Sequence, residues 1–169
     1  MSNKRIIYTD PRTGVAAVVV PAPGVAIEQC LGTIPTEEKL MPDLDVDGNP
    51  TGTNSPQEVR VVFEVVEVAD IPSDRTFRDS WEHDTTPAPE KIKANMGKAR
   101  AIAHEKRRAK RTIDFAPLDI EATIPSKQTE AESKRQVVRD KDALAQVNID
   151  AANTEAELKA ELVEYGAVL

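Results

Sequence analysis

The residue pattern of this chain changes type once, and that change limits the folds available to it. Before residue 70, short β-branched runs alternate with turn residues; after residue 89, apolar residues recur at helical spacing. Strands followed by helices are typical of an α+β fold. We therefore predict a small N-terminal antiparallel β-sheet unit at residues 1–69, a joint and extended linker at 70–89, and a C-terminal helical region at 90–169, forming an arm or hairpin of two or three helices.

The N-terminal part contains three predicted strands. Residues 5–8 and 15–20 flank a Pro- and Gly-containing turn and predict a β-hairpin, and residues 59–68 would complete a three-stranded sheet. The apolar phase of this third strand shifts at Val65–Val66, which indicates a β-bulge. A short helix is expected at residues 25–31.

Residues 41–56 hold three prolines and two glycines and predict a long loop, either a binding loop or an arm ordered by a partner. Within it, Asp43, Asp45, Asp47 and Gly48 imitate the start of a calcium loop. Asn54 stands where that loop needs a bidentate Glu, so the favoured interpretation is a polar turn.

Three amphipathic helices are expected, at residues 90–112, 129–146 and 154–165, with the first broken at 115–119. Thr129 with Glu132, and Thr154 with Glu157, form capping-box patterns, and Gly166 is a natural helix end. We expect part of the apolar side of the second and third helices to pack internally and part to dock on another subunit; its members are Val137, Val138, Leu144, Val147, Leu158, Leu162 and Val163.

The composition restricts the functional classes. Aromatic residues make up only 4% of the 169 residues, so the core should be modest, and the net charge of −7 opposes general affinity for nucleic acid. Cys30 is the single cysteine, which excludes an internal disulfide. No run approaches the ~18 apolar residues of a membrane span. No nucleophile elbow or phosphate loop occurs, and His83 lacks a ligand pattern, so we expect no enzyme, metal, cofactor or small-molecule substrate.

The joint at residues 70–81 has the sequence D-I-P-S-D-R-T-F-R-D-S-W. Pro72 fixes one backbone torsion, and we expect Asp70 and Asp74 to pair with Arg75 and Arg78. The aromatic side chains of this stretch, Phe77 and Trp81, should dock on the core.

This string resembles a motif, D-[IL]-P-x-D-R-x-F-R-x-A-W, of small proteins encoded by tailed bacteriophages and prophages near tail or other virion genes. The matching residues are Asp70, Ile71, Pro72, Asp74, Arg75, Phe77, Arg78 and Trp81; Ser80 departs from the usual Ala. A weaker likeness continues through the basic segment 98–111 and through residues 135–140. The resemblance implies a phage context and location in the virion, with other virion proteins, in multiple copies, as partners.

The first predicted helix is strongly basic between residues 91 and 111. Three interpretations stay open: an intramolecular or solvated face, a face for an acidic protein partner, and a phosphate-binding face. The candidate partner-docking residues of this helix are Ile92, Met96, Ile102, Arg107, Arg108 and Arg111.

The lack of a catalytic constellation, taken with what the resemblance of residues 70–81 implies, predicts a non-enzymatic structural or accessory protein of a tailed-phage particle, with its tail region favoured. The first alternative is a tail or tail-fibre assembly chaperone that leaves before the particle matures. The minor alternative is a nucleic-acid-binding protein that uses the basic helix.

Overall fold

The computed structural model describes residues 3–86 and 91–167. It has small antiparallel sheets followed by three helices, so the predicted α+β class is confirmed. The described residues fall into two compact units. A β unit comprises residues 3–73, 81–86 and 91–93, and a helical unit comprises residues 74–80 and 94–167.

The strands follow one another along the first half of the chain. They are β1 (Lys4–Thr9), β2 (Ala16–Val19), β3 (Thr36–Leu44), β4 (Pro50–Arg60), β5 (Phe63–Glu67), β6 (Trp81–His83) and β7 (Ile92–Ala94). They form a three-stranded sheet in the order β2-β1-β5 and two separate pairs, β3-β4 and β6-β7.

The three-stranded sheet confirms the predicted N-terminal hairpin and its third partner. Ile6 and Ile7 of β1 are fully buried, and Ile6 belongs to a cluster completed by Ile27, Cys30, Ile34 and Val61. The predicted bulge is wrong, because β5 pairs with β1 in unbroken register and Val66, not Val65, is buried. The pattern of residues 59–68 spans two strands, because residues 59 and 60 belong to β4 and β5 begins at Phe63.

A 3₁₀ helix at Ile27–Thr33 occupies the place of the short helix expected at residues 25–31. The predicted loop at 41–56 is wrong, since β3 and β4 pair there as a long hairpin with a register irregularity between Pro42 and Leu44. In a two-stranded sheet both strands are edges, where proline is tolerated. Two glycines take positive φ values near +85°: Gly48 in the turn, and Gly52 in β4, where the strand register is irregular.

The helices differ from the prediction at several ends. They are α1 (Met96–Ala122), α2 (Gln128–Ala151) and α3 (Glu155–Tyr165). The predicted linker contains β6, and the segment expected to begin the first helix contains β7. Residues 89 and 90 lie outside the described residues. Asn95 caps α1 by accepting a hydrogen bond from the Lys98 N–H at 3.0 Å, so the helix begins six residues later than predicted.

The predicted break at residues 115–119 is also wrong, because α1 continues through Pro117. α2 begins one residue before Thr129, so the Thr129–Glu132 capping box does not form. α3 matches its prediction: Thr154 accepts a hydrogen bond from the Glu157 N–H at 3.2 Å, and Gly166 ends the helix with φ +83°.

Half of the ten buried residues that the structure describes in the core of the helical unit are alanines, and the larger side chains come mainly from α3. Small residues allow the helices to approach closely, which suits a chain with few aromatics. The buried members are Phe77, Ala99, Ala103, Ala145, Ile149, Ala152, Leu158, Leu162, Tyr165 and Ala167. Val137, Leu144, Val147 and Val163, which the sequence places on the apolar side, are exposed.

Candidate interaction site

The motif at residues 70–81 does not form the predicted Asp–Arg pairs. Asp70 accepts a hydrogen bond from the Glu67 N–H at 3.0 Å. Asp74 accepts from the N–H and hydroxyl of Thr76 and pairs with Lys159 of α3 at 2.5 Å. Within the described parts of the chain, neither Arg75 nor Arg78 makes an ion pair. The prediction is wrong because backbone donors and the Lys159 ammonium take the carboxylates.

The pKa of the Asp74 carboxyl is lowered from its usual range, first by the Lys159 hydrogen bond and then by those from Thr76. Its side chain is half exposed, so water screens the pair and the contribution to stability is small. Asp74 therefore fixes a local turn more than it stabilises the helical unit.

The aromatic side chains of the motif are buried, as predicted. Phe77 belongs to the core of the helical unit, and Trp81, in the β unit, is 1% exposed. Pro72 is half-buried, whereas Arg75 and Arg78 are exposed. The motif thus divides into buried aromatic anchors and exposed guanidinium groups.

The candidate docking residues of the basic helix do not share one exposed face. Ile92 is buried in β7, and Met96 and Ile102 pack against the helical core. Arg107 is buried, Arg111 is exposed but pairs with Asp142 of α2, and Arg108 is exposed. Ile92 and Arg107 are therefore not available to a partner, and docking through the rest of this helix stays a prediction.

Several basic side chains of α1 make contacts inside the helical unit. Arg100 donates to the Ala152 carbonyl at 3.0 and 2.8 Å, and His104 lies 2.9 Å from an Asp150 carboxylate oxygen. Lys110 pairs with Asp114. These contacts favour the intramolecular interpretation of the basic run over a phosphate-binding face.

Asp142 is the centre of a buried polar cluster that the sequence interpretation missed. One carboxylate oxygen lies 2.8 Å from Arg107 Nη1 and accepts the Tyr165 hydroxyl hydrogen at 3.1 Å; the other accepts from Arg111 Nη1 at 3.1 Å. Burial, and then the negative charge of Asp142, raise the pKa of Tyr165 to about 12. The sequence does indicate this cluster, because Asp142 is a charged residue in the apolar row of α2, between Val138 and Ala145.

This cluster joins the three helices, because Arg107, Asp142 and Tyr165 belong to α1, α2 and α3 in turn. Lys141 adds a hydrogen bond from its ammonium to the Tyr165 carbonyl at 3.0 Å. Both guanidinium groups pair with the Asp142 carboxylate. The arrangement is therefore a structural tie among helices.

The β3–β4 hairpin is the feature most available to a partner. Nearly all of its residues are exposed, and β3 and β4 pack chiefly on each other. Leu40 is 72% exposed and pairs across the hairpin with Pro56. On the same face of the hairpin, two residues before Leu40, Glu38 lies opposite Glu58. Like charges that face each other across two strands repel. This face thus combines apolar surface with an uncompensated carboxylate pair.

The edges of the hairpin are less suited to binding than its face. Pro42 on β3 and Pro56 on β4 lack the N–H that a further strand would need. An Asp-Gly dipeptide between two strand-like segments, here Asp47-Gly48, is typical of a hairpin. The prolines of residues 41–56 concealed this signal in the sequence.

A hydrogen-bonded turn holds the tip of this hairpin. The Asp45 carboxylate accepts from the N–H groups of Asp47 and Asn49, each at 2.9 Å, which lowers the pKa of that carboxyl. Asp43 instead accepts from the Thr53 and Ser55 hydroxyls. Asp45 is thus used in a polar turn and Asp43 in contacts across the hairpin, and Val46 in the same turn is fully exposed.

His83 of β6 is buried in the β unit, and its Nε2 lies 3.7 Å from a Glu64 carboxylate oxygen. Lys91 pairs with the other Glu64 oxygen at 3.0 Å. Across residues 3–86 and 91–167, no group of three or more His, Cys, Asp or Glu side chains could hold a metal ion. No helix in those ranges is long and apolar enough to cross a membrane.

Comparisons with protein-family models, with curated proteins and with solved structures found no match.

Proposed function

We propose that this chain is a non-enzymatic structural protein of a tailed-bacteriophage particle, in its tail region, and that it works by binding neighbouring virion subunits. The observation that carries the proposal is the β3–β4 hairpin. Its strands of nine and eleven residues pack chiefly on each other and present apolar side chains to solvent. A two-stranded hairpin is marginal in water by itself, so a partner surface would stabilise it.

The exposed side chains suggest the chemistry of that partner. Leu40 and Val46 offer apolar anchors, and the Glu38–Glu58 pair favours a cationic group opposite it. The resemblance of residues 70–81 to a tailed-phage motif supports a virion context. Aromatic anchoring by Phe77 and Trp81 leaves Arg75 and Arg78 exposed for further contacts.

Mass spectrometry of purified mature particles, from the host that carries the gene, tests the proposal. We expect peptides of this chain at a constant ratio to those of the tail proteins. Their absence from mature particles, with presence in assembly intermediates, would replace the structural role by that of an assembly chaperone.

Variants identify the binding face. Leu40→Ser combined with Val46→Ser should reduce incorporation into particles without lowering the melting temperature, because both side chains are exposed. Met41→Ser, on the opposite face of β3, is the matched control. Equal incorporation of the wild type, the double variant and Met41→Ser would show that the hairpin does not contact the neighbouring subunits.

A further inference from the structure

α2 carries a second apolar row that no part of its own helical unit covers. Val137, Leu144 and Val147 are 67%, 60% and 64% exposed, and Ala151 continues the row. Asp140 is also exposed and lies on the same row, between Val137 and Leu144. We call these five residues the outer seam.

The outer seam lies away from the core side of α2. The buried side of this helix presents Ala131, Asp142, Ala145 and Ile149. At ~100° per residue, the outer seam lies roughly 150° around the helix from that row. The contacts with α1 and α3 therefore leave the seam open, and α2 has two apolar faces where a surface helix needs one.

The spacing of the seam specifies the kind of surface that fits it. Its members follow one another at intervals of three, four, three and four residues, which is the a/d pattern of a coiled coil. Such a row accepts side chains of another helix with the same repeat. α1 shows the same preference, with exposed Ala109, Ile113, Ala116 and Ile120 at four, three and four.

We propose that a second copy of this chain docks on the outer seam, with α2 packed against α2 in a two-fold symmetric dimer. A second copy brings a seam of identical repeat, as a two-fold interface requires. Charge permits this pairing: α2 has four basic and five acidic side chains, so two copies of the helix repel each other little although the chain carries −7.

Asp140 limits the registers available to the pair. It is the one charged member of the seam and accepts a hydrogen bond from Gln136 on the same helix. A polar residue at one seam position selects register and costs stability. Asp140→Leu should therefore tighten the dimer.

Sedimentation equilibrium of the full chain tests the proposal. We expect the mass to rise towards twice that of the monomer with increasing concentration. Leu144→Glu should raise the dimer dissociation constant at least ~100-fold, because each dimer loses two buried leucines. Gln146→Glu, an exposed change in the same helical turn but off the seam, should leave that constant unchanged.

Asp140→Leu is a control for misfolding. The proposal predicts that this variant has a lower dimer dissociation constant, whereas misfolding would not strengthen the dimer. A monomeric wild-type chain at all concentrations would overturn the proposal and leave the seam to a different protein. If the chain forms an oligomer whose dissociation constant is unchanged by Leu144→Glu and by Asp140→Leu, the proposal is wrong and another surface forms the interface. Both readouts use the isolated chain, so they are independent of whether it is found in particles.

Discussion

Arg107 of α1 holds Asp142 of α2 at two points, with its Nη1 atom 2.8 Å from a carboxylate oxygen and 3.1 Å from the main-chain carbonyl oxygen. Both side chains are about 7% exposed. A charge pair at this depth forms only when its members meet in the correct geometry, because each is costly to bury alone. The pair therefore selects one packing of α1 on α2 in a core of small alanines that would tolerate several.

Removing one member of this pair should be much worse than removing both. Asp142→Asn leaves the Arg107 charge buried without its counter-ion and should lower the free energy of unfolding by about 3–5 kcal/mol. Arg107→Met combined with Asp142→Leu should recover most of that loss. Urea denaturation measures both. If the double variant is as unstable as the single one, the contribution of the pair is geometric packing, not charge balance.

Tyr165 should make the stability of the chain fall at alkaline pH. Its pKa is about 12 in the folded protein against an ordinary value of 10.0. Between these values the unfolded chain loses the phenolic proton while the folded chain keeps it, so unfolding becomes easier as pH rises from 10 towards 12. Urea denaturation of wild type and Tyr165→Phe at several pH values should show a shallower decline in the variant. Tyr8→Phe, which leaves the Tyr165–Asp142 bond intact, should retain the wild-type decline.

The fold elements that the sequence predicted correctly are those whose causes are local. The β1–β2 hairpin follows from β-branched runs around a turn, and the ends of α3 follow from Thr154 and Gly166. The β3–β4 hairpin was missed because proline content suggested a loop. Proline is excluded from central strands but not from a sheet in which each strand is an edge.

The candidate site was harder to predict because its charge partners come from distant parts of the chain. Asp74 pairs with Lys159, eighty-five residues later, instead of its neighbours Arg75 and Arg78. Likewise Arg107 occupies a core position of α1 only because Asp142 lies opposite it. One sequence shows which side chains can pair but does not show which of them meet in the fold.

The two kinds of motif residue should differ sharply in their effect on stability. Phe77→Ala removes a fully buried ring from the helical core and should cost about 3–5 kcal/mol. Arg75→Ala, an exposed change, should shift the free energy of unfolding by less than about 0.5 kcal/mol. Parallel urea curves measure the contrast. A large loss for Arg75→Ala would mean that its guanidinium supports the fold.

Pro117 should weaken α1, and its replacement should strengthen the helix. Proline has no N–H to donate to the carbonyl four residues earlier, that of Ile113, yet α1 continues to Ala122. Contacts from α2 compensate beyond it: Arg135 pairs with Asp119, and Lys134 lies 3.3 Å from a Glu121 oxygen. These contacts stabilise the last turns of α1, which the proline would otherwise destabilise.

Pro117→Ala should therefore raise the free energy of unfolding by about 1–3 kcal/mol, because it restores the hydrogen bond and the side chain is exposed. Alanine also frees the unfolded chain, which offsets part of the gain. Pro125→Ala, in the turn between α1 and α2, isolates that offset and should cost about 0.4–1 kcal/mol. Urea denaturation followed by circular dichroism compares them. A loss for Pro117→Ala larger than that of Pro125→Ala would show that the proline at position 117 is needed to bring Asp119 to Arg135.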